Sequence, residues 1–400
     1  MKLRCQIGSE SLELDDGLLD EHRERLQRLG EAPPVRLVYA AAHVVMHDDY
    51  AELETPGGTA PGKLAQSIDW QATQALRLRL AQRGFGIAEA MDTAQRFQIG
   101  WSNARRLIED TGRAGYANGF IAGAGVDHLD EIASEDELVA GVVFQAELIR
   151  AAGGSVILLP LAWLTENNAD EETYVRVYGR IIESLEGPLF LHWLGAMFEA
   201  SLEGYFPGHS FRRILDLDPA KVRGAKLSLL DEALERELRR ELLTRDQILL
   251  SGDDFHFGRL MQGGSGSRST QIAGRQVSLG DFSHGLLGVF DAIAEPASLA
   301  LRYLAHGDQE RYWSLMQPCE LLGRHLFEAP TQNYKCGLAF LAWLNGWQSN
   351  PLLPFHLERQ RSREHYLQAA RLASAAGVLQ NAQQAANLIT EPGSVSPRGF

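Results

Sequence analysis

The stretch VRGAKLSLLDEALERELRRELLTRDQILLSGD (222–253) sets the reading of the whole chain. Its opening, VRGAKLSL (222–229), is a short and largely apolar run. DEALERELRRELL (231–243) carries one apolar stripe and a heavily charged opposite face, as a helix packed on the outside of a sheet should. DQILLSGD (246–253) is a second short apolar run. Strand, amphipathic helix and strand in that order form the repeat that builds a parallel sheet.

Working outward, the same alternation recurs. Further strands are expected at VRLVYAAAHV (35–44), GFGIAEAM (84–91), GFIAGAG (119–125), GSVILLPLAW (154–163) and GPLFLHWL (187–194). A weaker eighth is expected within VSLGDFSHGLLG (277–288). Helices are expected at 135–153 and 172–187, each running to a glycine stop. Eight strands with helices between them predict an α/β chain folded as one (β/α)8 barrel, a TIM barrel. The expected division is an N-terminal extension over 1–34 with a charged helix, LLDEHRERLQRLG, a barrel over 35–300, and a C-terminal helical segment over 301–400 packed on it. QGGSGSRST (262–270) reads as a mobile surface loop, and TEPGSVSPRGF (390–400) as a frayed tail.

The 400 residues suffice for such a barrel, which needs about 250 before insertions. A net charge of −14 and the absence of a basic stripe disfavour nucleic acid and anionic membrane surfaces as partners. Cys5, Cys319 and Cys336 are widely spaced, with neither a metal-ligand pattern nor a disulfide framework, which fits a reducing cytoplasm. No apolar stretch has the roughly 20 residues needed to span a bilayer, and the N-terminus lacks a signal-peptide core. GAGVDHL lacks the third glycine of a dinucleotide fingerprint, and QGGSGS lacks the Lys-Ser/Thr of a phosphate loop, so no cofactor is expected.

In barrels of this kind chemistry sits where the strands end at their C-termini. The polar residues expected there are His43, Glu89, Asp92, Thr93, Asp127, His128, His192, Lys226, Asp253, Asp254, His256 and His284. Lys226 stands in an otherwise apolar strand. Burial disfavours its ammonium form and leaves a nucleophilic amine able to form an imine with a ketone or aldehyde. A lysine paired with a carboxylate such as Asp253 for stability alone fits the same residues. His192 ends the preceding strand and suits proton transfer, or else is a core histidine bonded to a carbonyl. Asp253 and Asp254 would orient a hydroxyl, share a proton or join His256 on a metal, with helix capping the alternative for one of them. Glu89 and Asp92 divide the same way. With His43, His128 and His284 they would supply oxygen and imidazole ligands to a divalent metal, although no spacing motif marks one.

Five stretches carry a resemblance to the dihydrodipicolinate synthase and N-acetylneuraminate lyase superfamily. GPLFLHWLG is similar to the family strand ending Leu-Tyr-Asn-Val-Pro, and VRGAKLS resembles the strand bearing the Schiff-base lysine. ILLSGDDFHFGRLM looks like the Leu-Ser-Gly-Asp-Asp segment. FIAGAGVDH resembles the third strand, and FEAPTQNYKCGLAFLAWLNG a late helical segment. The likeness runs from about residue 35 to 347 and looks like that of a little-characterised branch.

The resemblance implies a class I aldolase barrel without cofactor or metal, oligomeric as a dimer or tetramer. Lys226 would form the imine and His192 would move the proton, assisted by Thr93. Asp92, Glu89, Asp253, Asp254, His128 and His43 would contact substrate. The departures are specific. His192 replaces the family's proton-relaying tyrosine, and Met197 falls where an arginine binds a substrate carboxylate. AMDTAQ replaces the Gly-Thr-Thr-Gly-Glu loop, so Asp92 would repel a carboxylate and accept hydrogen bonds from hydroxyls. The expected reaction is C–C cleavage or dehydration of a hydroxylated carbonyl compound, such as a keto sugar or sugar-acid derivative. A divalent-metal-dependent sugar isomerase or epimerase and a non-catalytic ligand-binding barrel are the competing expectations.

Overall fold

The computed structural model describes residues 1–7, 10–52, 61–264 and 266–390. Twelve strands occur among them. β1 (Lys2–Ile7) and β2 (Glu10–Asp15) form an antiparallel hairpin. Seven barrel strands follow: β3 (Val38–Ala41), β4 (Gly86–Glu89), β5 (Phe120–Ala124), β6 (Ser155–Leu158), β7 (Leu189–Leu194), β8 (Val222–Ser228) and β9 (Ile248–Ser251). β10 (Gly266–Ile272) and β11 (Arg275–Gly280) make a second hairpin, and β12 (His284–Leu287) is the eighth barrel strand. The eight pair in parallel, in the order β12-β3-β4-β5-β6-β7-β8-β9, and close. Each lies inside the stretch that periodicity assigned to it. Helices Glu135–Ala151, Glu171–Ser184 and Glu232–Leu243 likewise fall where their patterns put them.

The reading of 262–270 as a loop is corrected by the β10–β11 hairpin, and the start of the 277–288 stretch belongs to β11. Polarity misled there, because only one face of this hairpin is apolar. Ile272, Val277 and Leu279 pack with Leu37, Ile121, Phe190 and Ile248 of the barrel interior. The hairpin precedes β12 in the chain and thus plugs the N-terminal mouth of the barrel. Arg275 donates to the carbonyl of Asn118, just before β5, and Arg223 at the start of β8 donates to Thr270. The tail from 391 onward lies outside the described residues.

Alternation along the strands divides two apolar layers. On β7 and β8, Leu189, Leu191, Ala225 and Leu227 face the outer helices, while Phe190 packs into the barrel. The parallel register sets His192 level with Lys226. Both therefore point inward, at the C-terminal mouth.

The N- and C-terminal segments pack on each other and on the barrel. Asp15 N–H donates to Ser374 Oγ at 2.8 Å, and Asp16 Oδ2 accepts from Ala382 N–H at 2.9 Å. These acceptors belong to or abut helices Arg363–Ala375 and Ala382–Thr390. Helix Gln309–Leu326 lies against the barrel through Tyr312, whose hydroxyl donates to the carbonyl of Gly258 at 2.8 Å. The turn Thr331–Tyr334 and helix Lys335–Leu344 then cross the C-terminal mouth.

Gly224, two residues before Lys226, has φ of +145°, and a Cβ there would lie 1.8 Å from the carbonyl oxygen of Ile248 on β9. Gly224→Ala is expected to force β8 from β9 and to cost about 3 kcal/mol or more. Thermal unfolding checks this, and a melting temperature within a degree of the parent would contradict the packing described.

Candidate active site

Lys226 is 9% exposed and stands in a cavity of about 40 Å³ at the C-terminal mouth. Space for its side chain depends on Gly252 after β9, where a Cβ would lie 2.7 Å from Lys226 Cε and 2.3 Å from Ser228 Oγ. His192, Ser228, Asp254, Asp92, Thr93 and Tyr334 supply the polar walls. Leu159, Pro160, Leu194, Phe198 and Phe327 are among the residues that add apolar surface.

Burial pushes the Lys226 amine below the ordinary lysine range, and the carboxylates of Asp254 and Asp92 only partly oppose it. Burial pushes the Asp254 carboxyl up, while the Val289 N–H donating to it at 3.1 Å and Lys226 pull the other way. His192 is held well below its ordinary value by burial and then by Lys226. It is therefore a neutral imidazole at neutral pH. Its Nε2 is 3.2 Å from Ser228 Oγ, and its Nδ1 is buried without a hydrogen-bond partner. The Tyr334 hydroxyl lies 2.7 Å from Thr93 Oγ1 and is raised well above the usual phenol range by burial. Its ring stacks on Phe327 at 4.1 Å between centroids. Gly288 gives both groups room, because a Cβ there would be 2.9 Å from the Tyr334 ring and 3.2 Å from Thr93 Oγ1.

Asp92 separates this chamber from an outer cleft of about 660 Å³, lined in part by Gln95, Gln98, Glu199, Ser201, Asn333 and Lys335. Lys335 is 2% exposed, and its Nζ lies 2.9 Å from Asp92 Oδ2 as an ion pair while donating to the carbonyl of Gln332. This corrects the electrostatic picture drawn from sequence. Asp92 does not present an uncompensated negative charge, because the C-terminal segment supplies a cation to it. Met197, where an arginine was missing from the pattern, lines the outer cleft.

Of the expected site residues, the fold brings together Lys226, His192, Thr93, Asp92 and Asp254. The others stand apart with their polar groups committed. Glu89, fully buried, takes Arg77 through both oxygens at 2.8 and 2.9 Å and accepts from Thr111 at 2.7 Å. His43 Nδ1 meets Asp291 at 2.5 Å and Nε2 meets Gln348 at 2.7 Å. Asp253 accepts from the N–H groups of Phe255 and His256 and from the His256 ring, the capping alternative. His128 bonds to Gln145 and packs between Trp101 and Phe144, and Asp127 pairs with Arg96. His284 Nδ1 accepts from Leu37 N–H, and its Nε2 lies 3.1 Å from the Ser278 carbonyl. Contact of Glu89, Asp253, His128 and His43 with substrate is therefore not part of the geometry. His43, His128 and His284 also do not converge on a common point for a metal.

Ser228, Tyr334, Lys335 and Phe327 were not singled out from the sequence. Ser228 was within reach, since two residues along a strand share a face. The other three lie more than 100 residues from Lys226, in the stretch FEAPTQNYKCG, where nothing local ties them to the strand ends.

Solved structures share the barrel in which this cavity lies. A dihydrodipicolinate synthase from Acinetobacter baumannii, complexed with pyruvate, matches with a TM-score of 0.60 at 16% identity, covering 86% of this chain and 100% of that one. One from Agrobacterium tumefaciens matches at 0.57 and 15%, covering 86% and 98%. An N-acetylneuraminate lyase from Mycoplasma synoviae matches at 0.55 and 12%, covering 85% and 98%. The chain shares their barrel fold. Within it, the chain belongs to the family described as "Protein of unknown function (DUF993)", whose model matches residues 12–392. No curated protein matches the sequence. Among the described residues, no helix is long and apolar enough to cross a membrane.

The amine of Lys226 is expected to react with an amine-selective reagent along a pH profile centred below the ordinary lysine value of 10.5. Asp254→Asn removes a charge that favours the ammonium form and is expected to move the midpoint lower still. Mass-spectrometric labelling of the Lys226 peptide against pH reads both, and a midpoint at the ordinary value would contradict a buried amine.

Proposed function

We propose that this chain is a Schiff-base-forming class I lyase or aldolase, acting by C–C cleavage or dehydration on a hydroxylated carbonyl compound. The observation that carries the reading is a buried lysine, its ammonium form disfavoured, facing a neutral imidazole in a small chamber of mixed polar and apolar walls. Lys226 Nζ attacks the carbonyl carbon, and the carbinolamine loses its hydroxyl as water to leave an imine. The protonated imine then draws electrons from the neighbouring carbon.

His192 takes the proton from the hydroxyl on the carbon whose C–C bond breaks, or, for dehydration, from the carbon beside the imine while the hydroxyl leaves the next carbon as water, and the proton is returned afterwards. Its partnerless Nδ1 makes it the free base of the chamber. Thr93 and Tyr334, joined hydroxyl to hydroxyl, give a second route for protons to the carbinolamine oxygen. Asp254 favours the protonated nitrogen and Asp92 holds Lys335 at the chamber's edge.

The inner chamber admits only a short carbonyl-bearing fragment. The remainder of the substrate extends into the outer cleft, whose amide and hydroxyl groups suit a polyhydroxylated chain such as a sugar or sugar acid. Because Lys335 compensates Asp92, 2-oxo acids remain in the substrate range tested.

Borohydride reduction with a panel of keto sugars, sugar acids and 2-oxo acids is expected to fix an adduct on Lys226 by peptide mapping. Lys226→Ala and Lys226→Arg should abolish turnover of the compound that adds. His192→Ala should slow it by about 10²–10⁴. Full turnover by Lys226→Ala would overturn the reading, and binding without turnover that survives that change would favour a non-catalytic barrel.

A further inference from the structure

The C-terminal segment carries a second cluster that the reaction does not use. His325 lies in the last turn of helix Gln309–Leu326, Glu328 two residues beyond that helix, and His365 in the first turn of helix Arg363–Ala375. One ligand-capable atom from each lies within 4.8 Å of the others. His365 Nδ1 is 2.8 Å from Glu328 Oε1, and His325 Nδ1 is 3.6 Å from Glu328 Oε2. The two rings stack with centroids 4.2 Å apart.

The hydrogen bonds around the cluster orient it. His325 Nε2 lies 2.8 Å from the backbone carbonyl of His365. A carbonyl only accepts, so in the neutral ring the proton sits on Nε2, and Nδ1 presents a lone pair. That lone pair then faces a carboxylate oxygen with no donor between them. A cation in the gap converts two opposed acceptors into two ligands. Tetrahedral ligands about 2.1 Å from a zinc ion lie about 3.4 Å apart, close to the 3.6 Å between His325 Nδ1 and Glu328 Oε2. His365 Nδ1, which donates to Glu328 at 2.8 Å without the ion, would release that proton to solvent and bind through its lone pair.

We propose that His325, Glu328 and His365 form a binding site for a first-row divalent cation, with Zn²⁺ the best fit to two imidazoles and one carboxylate. Such a donor set suits borderline metals and excludes the all-oxygen preference of Mg²⁺ or Ca²⁺. Glu328 is half exposed, which gives the ion a path and leaves its fourth position to water. The His325–carbonyl bond is the kind of outer contact that fixes a ligating ring. Arg361 holds the loop bearing Glu328 by donating to the carbonyls of Leu326, Glu328, Ala329 and Pro330. Phe327, the neighbour of Glu328, stacks on Tyr334 over the inner chamber. The ion would thus tie two C-terminal helices together beside the residues that roof the site.

The test uses the full chain, freed of metal with a chelator and returned to buffer. Equilibrium dialysis is expected to show one equivalent of Zn²⁺, and Co²⁺ is expected to give visible absorption of tetrahedral strength. His325→Asn and Glu328→Gln should each weaken Zn²⁺ by at least about tenfold and abolish the Co²⁺ bands. Glu328 is solvent-exposed, so its variant should keep the parent's circular dichroism. Lys226→Ala should bind Zn²⁺ as the parent does, which keeps this result separate from the imine reading. Binding below one equivalent, or binding and Co²⁺ bands unchanged in both His325→Asn and Glu328→Gln, would overturn the proposal.

Discussion

The site depends on the closure of the parallel barrel. Eight strands in a ring turn alternate side chains toward one axis, and whatever a strand carries on that face must share one small space with the others. Through the β7–β8 register, His192 and Lys226 arrive side by side although 34 residues separate them. An amine held in such a space loses the water that would stabilise its charge, and that loss favours its neutral form. Closure by a hairpin at the N-terminal mouth leaves the C-terminal mouth as the open end.

The C-terminal segment finishes what the barrel begins. Phe327, Tyr334 and Lys335 sit over the strand ends and give the chamber a stacked aromatic wall, a phenol bonded to Thr93 and a cation against Asp92. The phenol that meets Thr93 comes from a part of the chain more than 200 residues away.

Many of the charged groups near the mouth are scaffolding. Arg77 with Glu89, Arg96 with Asp127, and His43 with Asp291 and Gln348 satisfy one another inside the molecule. Burying such groups costs several kcal/mol per ion unless the partners fit closely, so each network also fixes the loop or strand end on which it sits. Arg96 shows this directly: it binds Asp127 while donating to the carbonyls of Ala90 and Gly123, on the loops after β4 and within β5.

The sequence by itself determined the barrel, because hydrophobic periodicity is local and each βα unit declares itself within about 30 residues. It also singled out Lys226, since a lysine set between apolar residues in the middle of a strand is visible without any neighbour. Separating Asp92, Asp254, His192 and Thr93 from Glu89, Asp253, His43 and His128 was beyond it. All eight are polar residues at or near strand ends, and only the fold decides whether a partner such as Arg77 or Gln348 reaches them first. The hairpin of β10 and β11 was hidden because its apolar face is three residues set among glycine and serine. Tyr334 and Lys335 were hidden because their roles exist only through contacts spanning more than 200 residues to Thr93 and Asp92. Periodicity is a property of the chain, whereas a site is a set of distances, and closing the barrel under its helical roof is what set them.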